Sequence, residues 1–409
     1  MSQPMMYVLA SGDTTGRTDA VNLQMAIDAM DSDTARERGV LVLSGNYHID
    51  TPLTTGSPTF AHRRSCVLSG AGIATIQYVG STTSKYLWSA FSGAGMGAPK
   101  INNVVLDCGW KCRGVLLSQV TYSPLLDHVY IAHPREVGLD LVNCWGSAME
   151  HVRVFAPRGV GIRTITMESH HWSHVSVSNG NVSLHANGGT NTAALQQYEF
   201  EHGRAAARSK YGGDYRENWP DPADQSVKDY QGNPVQTKED DRGLIVVKGS
   251  CGASTWNGLL TENNYCGDYP LVAFVPYLYP PGGLVVEGWY MEENTTRLCS
   301  VLARGQAGSF CGQLEFRNVR GMDRYRASVS PLRGETFVRC EVSTTQISVA
   351  NALFRGHPGQ SILQLNGGTH SGHRLVDIRT YDDTMPRDHY MQLLNGAVYR
   401  EQASNGLDP

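Results

Sequence analysis

The chain has 409 residues, of which 41% are hydrophobic and 18% charged, and its net charge is −4. That is enough apolar material for a core, and the mild negative charge argues against nucleic acid or a polybasic membrane surface as a partner. Its nine cysteines (66, 108, 112, 144, 251, 266, 299, 311 and 340) include no CxxC and no Cys/His cluster with zinc spacing, so they are expected to be reduced core thiols.

The opening Met1-Ser2-Gln3-Pro4-Met5-Met6-Tyr7 has no basic segment leading into a long apolar run. No stretch elsewhere has the length and apolarity of a membrane span. The expectation is cytoplasmic synthesis without a signal peptide, no membrane insertion, and export by an unusual route such as release inside a virus particle. Gly12-Asp13-Thr14-Thr15-Gly16-Arg17-Thr18-Asp19 leads into residues 20–30. There Leu23, Ala26, Ile27 and Met30 fall on one helical face, with Thr18 or Asp19 as N-cap. Val40-Leu41-Val42-Leu43, a turn at Gly45, and Tyr47-His48-Ile49 form strand, turn, strand, and residues 67–76 repeat that layout around Gly70 and Gly72.

This succession resembles the N-terminal part of the pectate-lyase-like parallel β-helix superfamily, which many phage tailspikes share. The resemblance covers about residues 10–80. Thr14 stands where glycine is usual, Asp19 alone remains of an acidic pair, and Ser44 replaces a proline. The resemblance implies an all-β chain, a single-stranded right-handed parallel β-helix with a short N-terminal capping helix. Such a helix covers the apolar end of the solenoid and its unpaired strand edges, and so prevents end-to-end association.

After a Gly/Ser/Ala-rich loop at 81–99, one short phrase recurs. Leu126-Asp127-His128-Val129-Tyr130-Ile131, Met149-Glu150-His151-Val152-Arg153-Val154 and Trp172-Ser173-His174-Val175-Ser176-Val177 place their histidines at equal intervals in the low twenties. Asn103 leads the series a similar interval before His128, and Gln196-Gln197-Tyr198-Glu199-Phe200 keeps the step as a fourth copy. Each phrase alternates apolar residues with period 2, the signature of stacked strands. Gly114, Gly138 and Gly161 open a second column of strands in the same rhythm. Residues 204–243 interrupt the pattern with a polar, aromatic-bearing excursion. Coils resume at Leu244, and an apolar side loop is expected at 272–281. Leu259-Leu260-Thr261-Glu262 is echoed about one coil later by Leu284-Val285-Val286-Glu287. The expected division is 1–80 as helix and first coils, 81–379 as β-helix with its two insertions, and 380–409 as tail or cap.

Two sets of residues invite chemistry. Stacked coils lie ~4.8 Å apart, where two imidazolium ions would repel by about 3 kcal/mol at an effective dielectric of 20. The histidine column is therefore expected neutral and stacked at pH 7. No carboxylate partner stands out for it, so no metal or other cofactor is assigned. Glycosidases need two carboxylates about 5–10 Å apart. The echo aligns Glu262 with Glu287 on neighbouring coils and adds Glu292 close by as the catalytic candidates. Trp289 and Tyr290, with Tyr215 and Trp219 of the 204–243 excursion, are the candidate sugar-binding aromatics. The competing explanation is structural, because Glu-Asn-Asn endings suit turns. The polygalacturonase motif series is absent, Asp382-Asp383 lies in the tail without its context, and no Gly-x-Ser-x-Gly, P-loop or dinucleotide fingerprint occurs.

The resemblance implies a virion protein of tailspike or tail-fibre type. It would be a homotrimer, set beside other virion tail proteins, that binds and in some such proteins depolymerises a bacterial surface polysaccharide. A stand-alone polysaccharide hydrolase or lyase and a purely structural virion component are the alternatives.

Overall fold

The computed structural model describes residues 5–32, 40–55, 67–91, 100–119, 125–182, 194, 198, 201–211, 242–267, 269–277, 282–296, 299–304, 312–322, 336–341, 346–354, 361–365, 373–380 and 391–393. Among these, strands form an 18-stranded sheet, an 11-stranded sheet and a two-stranded pair.

A single coil shows how the sequence makes this shape. Ala148–Glu150 is a short strand; His151 turns the chain at φ 52°; Arg153–Phe155 follows; Ala156 turns it again at φ 50°. Arg158–Ile165 then joins the 11-stranded sheet, and Thr166, at φ 51°, starts the return to His171–Ser173. Left-handed single-residue corners thus bend the chain without a loop. Each corner also resets the period-2 alternation, so Met149, Val152 and Val154 all point inward and are buried. Ala148 pairs in parallel register with Leu125 below and His171 above, which reproduces the interval between the histidines.

The core is one continuous column of aliphatic and aromatic side chains. Trp172 and Trp256 stack at 4.1 Å, and further along Phe337 lies 5.0 Å from Phe354. The glycine column is a steric requirement. A Cβ on Gly114 would sit 1.9 Å from the Gly138 carbonyl oxygen, and one on Gly138 would sit 2.5 Å from that of Gly161.

At the N-terminal end, helix α1 (Arg17–Ser32) packs on strands Asn46–Ile49 and Leu53–Thr55, burying Leu23, Ala26 and Ile27. Its start differs from the expected cap. Asp13, not Thr18 or Asp19, takes the Thr18 N–H at 2.9 Å, together with that of Thr15. The hydrogen bonds from Thr15 and Thr18 hold the Asp13 carboxyl well below the usual range. Asp19 is buried and accepts from Ser11 N–H (2.8 Å) and His48 N–H (3.0 Å), which ties the entry segment to the first strand pair.

Two further expectations change. The third histidine phrase is followed in the stack by residues 255–262, since His171 pairs directly with Thr255; Tyr198 of the expected fourth phrase and the described residues near it (Ala194, Glu201, His202) are helical, and the rest of Gln196–Phe200 lies outside the described residues. Helix α2 (Arg204–Tyr211) begins the 204–243 excursion, and Tyr215 and Trp219 lie outside the described residues. In the 272–281 segment, Val272–Val275 is a buried strand of the 11-stranded sheet, so at most the residues after Val275 can leave the coil. Cys108, Cys112, Cys144, Cys251, Cys266, Cys299 and Cys340 are reduced and buried, as expected of core thiols, while Cys66 and Cys311 lie outside the described residues; burial pushes the Cys251 thiol up to about 12. No helix among the described residues is long and apolar enough to cross a membrane.

Candidate functional site

One corner column organises the outer surface. It runs Asn103, His128, His151, His174, Gly258, Gly288, Asn318, Asn351, all at φ between 51° and 69°. Asparagine and glycine adopt this conformation at little cost. The histidines stack as expected, His128 on His151 at 4.3 Å and His151 on His174 at 5.0 Å with rings nearly parallel. At the other end Asn351 donates its amide to Asn318, and Asn318 donates to the Glu287 carboxylate. Between them, Gly258 and Gly288 carry no side chain. The column therefore has a notch two coils tall, on the order of 10 Å along the axis, with His174 on one side and Asn318 on the other.

The register beside the notch corrects the expected carboxylate pair. Glu262 is paired with Glu292, not with Glu287, and Glu287 pairs with Asn257. The coil from Glu262 to Glu292 is longer than those that carry the histidines. Glu262 and Glu292 thus stand on adjacent coils on one bank of the notch, and Glu287 stands on the opposite bank. Tyr290 pairs with Leu260 below and Arg320 above. Slight burial, then Glu292 and Glu262, raise the Tyr290 hydroxyl above its ordinary value, and it donates a hydrogen bond to Glu292. The outer face at the notch therefore combines two in-register carboxylates, a tyrosine that orients one of them, an apolar Leu260 and a cation, Arg320. Glu262, Glu287, Glu292 and Tyr290 are all half-buried.

No protein-family model and no curated protein matches the chain. Among solved structures, an endo-xylogalacturonan hydrolase from Aspergillus tubingensis is similar with TM-score 0.52 and 10% identity, over 97% of this chain and 100% of that one. ORF18 of Geobacillus virus E2 is similar with TM-score 0.52 and 10% identity, over 92% of this chain and 60% of that one. This chain thus spans about three fifths of the viral protein's length. The fold is a right-handed parallel β-helix.

Within this β-helix, Trp289 is not a sugar platform. It is buried in the core, and its indole N–H donates to Thr261 Oγ1 at 3.1 Å. The left-handed Gly288 restarts the alternation, so 289 and 291 face in while 290 and 292 face out. Sequence reasoning missed the notch itself and Arg320. The signal that could have found them was the run of corner residues Asn, His, Gly and Asn, which becomes visible once the coil length is allowed to vary.

Two polar groups are buried away from the notch. Asp140 is fully buried and accepts from Arg163 Nε (2.7 Å) and Nη2 (2.5 Å) and from the Tyr86 hydroxyl. The Tyr86 hydroxyl is raised far above its usual range, by burial first and by Asp140 second. His170 is buried against Trp172 and Trp256. Its Nε2 accepts from Trp256 Nε1 (3.1 Å), and its Nδ1 lies 2.9 Å from Ser254 Oγ. Because the indole can only donate, Nδ1 carries the proton and donates to Ser254. Burial, with a smaller contribution from His171, lowers the His170 pKa to about 3.

Proposed function

We propose that the β-helix binds a bacterial surface polysaccharide across the Gly258/Gly288 notch and cleaves it with Glu262 and Glu292. The observation that carries this reading is the in-register pairing of these two carboxylates on adjacent coils, with Tyr290 bonded to Glu292. Backbones ~4.8 Å apart suit the ~5–5.5 Å carboxyl separation of a retaining hydrolase. Glu292, oriented by Tyr290, attacks the anomeric carbon; Glu262 passes a proton to the leaving oxygen and then takes one from the water that releases the sugar. The notch admits a pyranose ring to the backbone, and Leu260 and the Tyr290 ring offer it an apolar seat. Similarity to a polysaccharide hydrolase and to a virus protein supports a role of tailspike type. In this reading the chain is a virion component and a homotrimer, and its glycan lies on the host surface.

The test incubates the protein with host surface polysaccharide and follows reducing ends and absorbance near 235 nm. Reducing ends without the absorbance are the expected result, and Glu262→Gln and Glu292→Gln should each lower the rate at least 100-fold, within the range for lost acid or nucleophile function. Both signals together would identify a lyase, and binding without either signal would identify an adhesin. Cleavage untouched by both substitutions overturns the assignment of the acids. Light scattering showing a monomer overturns the trimer.

A further inference from the structure

The histidine column has a carboxylate partner that the sequence alone does not reveal. Asp127 immediately precedes the left-handed His128 within the strand Leu125–Ala132. Its Oδ1 lies 2.6 Å from His128 Nδ1 and 3.9 Å from His151 Nδ1. One ligand-type atom from each of Asp127, His128 and His151 falls within 4.8 Å of the others. Two donors on a tetrahedral zinc ion, at bonds of ~2.0–2.1 Å, are about 3.3 Å apart. The observed 2.6 and 3.9 Å bracket that separation.

We infer that Asp127, His128 and His151 form a binding site for a divalent first-row transition ion of the zinc class. Two imidazoles and one carboxylate select such an ion over calcium or magnesium, which prefer all-oxygen sites. Three protein ligands leave further positions for water or for an oxygen of a ligand. The side chains are 56%, 49% and 29% exposed for His128, His151 and Asp127, so they close on an ion by rotating about their own bonds. Their backbones stay fixed. Both corners are left-handed, and the strands on either side are in parallel register. Glu150, in register with Asp127, adds negative charge one coil away. His174 stands outside the set: Ser173 occupies the place that Asp127 holds beside His128, and its Oγ lies 3.0 Å from His174 Nδ1. The rings within the set are inclined by 25°, while His151 and His174 are parallel at 2°. An ion here would link two coils of the helix and is independent of the glutamates at the notch.

Asparagine is the substitution of choice for the test. Asn103, Asn318 and Asn351 occupy the same corner at φ 54°, 52° and 51°, so His→Asn variants keep the fold, which circular dichroism checks. Chelator-treated protein is titrated calorimetrically with zinc chloride. One tight equivalent is expected. Asp127→Asn and His151→Asn should each weaken it about 100-fold or more, because even loss of a supporting partner costs 10–100-fold. His174→Asn should leave it unchanged. Cobalt(II) in place of zinc should give visible d–d bands in the parent protein that are lost in His151→Asn. The absence of saturable binding overturns the proposal. So does a tight equivalent that survives both substitutions, since the chain has 14 histidines and the ion would then sit elsewhere.

Discussion

Acidification should weaken this β-helix through one buried imidazole, His170. Its pKa is about 3 in the folded chain, against 6.5 for an unperturbed histidine. A depressed folded pKa means that the unfolded chain binds the proton first as pH falls. The contribution is therefore fully present above pH 6.5 and declines as pH drops from there through about 3. Over that window the slope rises toward about 1.4 kcal/mol per pH unit, so moving from pH 6.5 to 4.5 should cost about 2 kcal/mol from this group alone. The structural cause is the pair of hydrogen bonds that use both ring nitrogens in one tautomer: Trp256 Nε1 donates to Nε2, and Nδ1 donates to Ser254. Protonation of Nε2 would set two donors against each other in a site closed to solvent.

His170→Gln isolates this effect, because the glutamine oxygen can still accept from Trp256 and the amide carries no titrating proton. Urea unfolding followed by tryptophan fluorescence, between pH 7.5 and 4.5, gives the two profiles. The variant should start lower at pH 7.5, by about 1–3 kcal/mol for imperfectly satisfied partners, and then fall more slowly than the parent. Carboxylates titrate in both proteins and cancel in the difference. Parallel profiles, agreeing in slope to within about 0.3 kcal/mol per pH unit, would refute the reasoning.

The remaining predictions separate buried from exposed groups. Asp140→Asn leaves Arg163, 2% exposed, without its counter-charge and should cost about 3–5 kcal/mol in urea unfolding. Asp377→Ala, which removes a partner of the surface residue Arg379, 72% exposed, should cost about 0.5 kcal/mol or less. Trp289→Ala should destabilise by about 3–5 kcal/mol. Tyr290→Ala should leave stability within about 0.5 kcal/mol but weaken retention on immobilised host polysaccharide, measured by surface plasmon resonance. Filling the notch with Gly258→Asn, a residue the corner tolerates, should abolish polysaccharide retention without shifting the unfolding midpoint.

The legible and illegible parts of this chain divide along one physical line. Where coils are joined without insertion, spacing alone gives the register. His128, His151 and His174 recur at equal intervals, and the structure stacks them on one corner. The N-terminal helix was legible for a related reason, since its apolar face follows helical period without help from distant residues. Where a loop lengthens a coil, local similarity misleads. Glu262 and Glu287 end matching phrases, yet they belong to different strands of the coil, because the pairing follows backbone hydrogen bonds and not resemblance. The same slip put Trp289 on the surface, since alternation was counted straight through Gly288 when a left-handed residue restarts it. The corner residues carry the register better than the strands do. Almost any β-branched or aliphatic residue fits a strand position, but a left-handed corner admits Gly, Asn, Asp or His far more readily than the rest. Aligned on their corners, His174, Gly258, Gly288 and Asn318 fall into one column despite unequal coil lengths. That alignment exposes the notch and sets Glu262 beside Glu292.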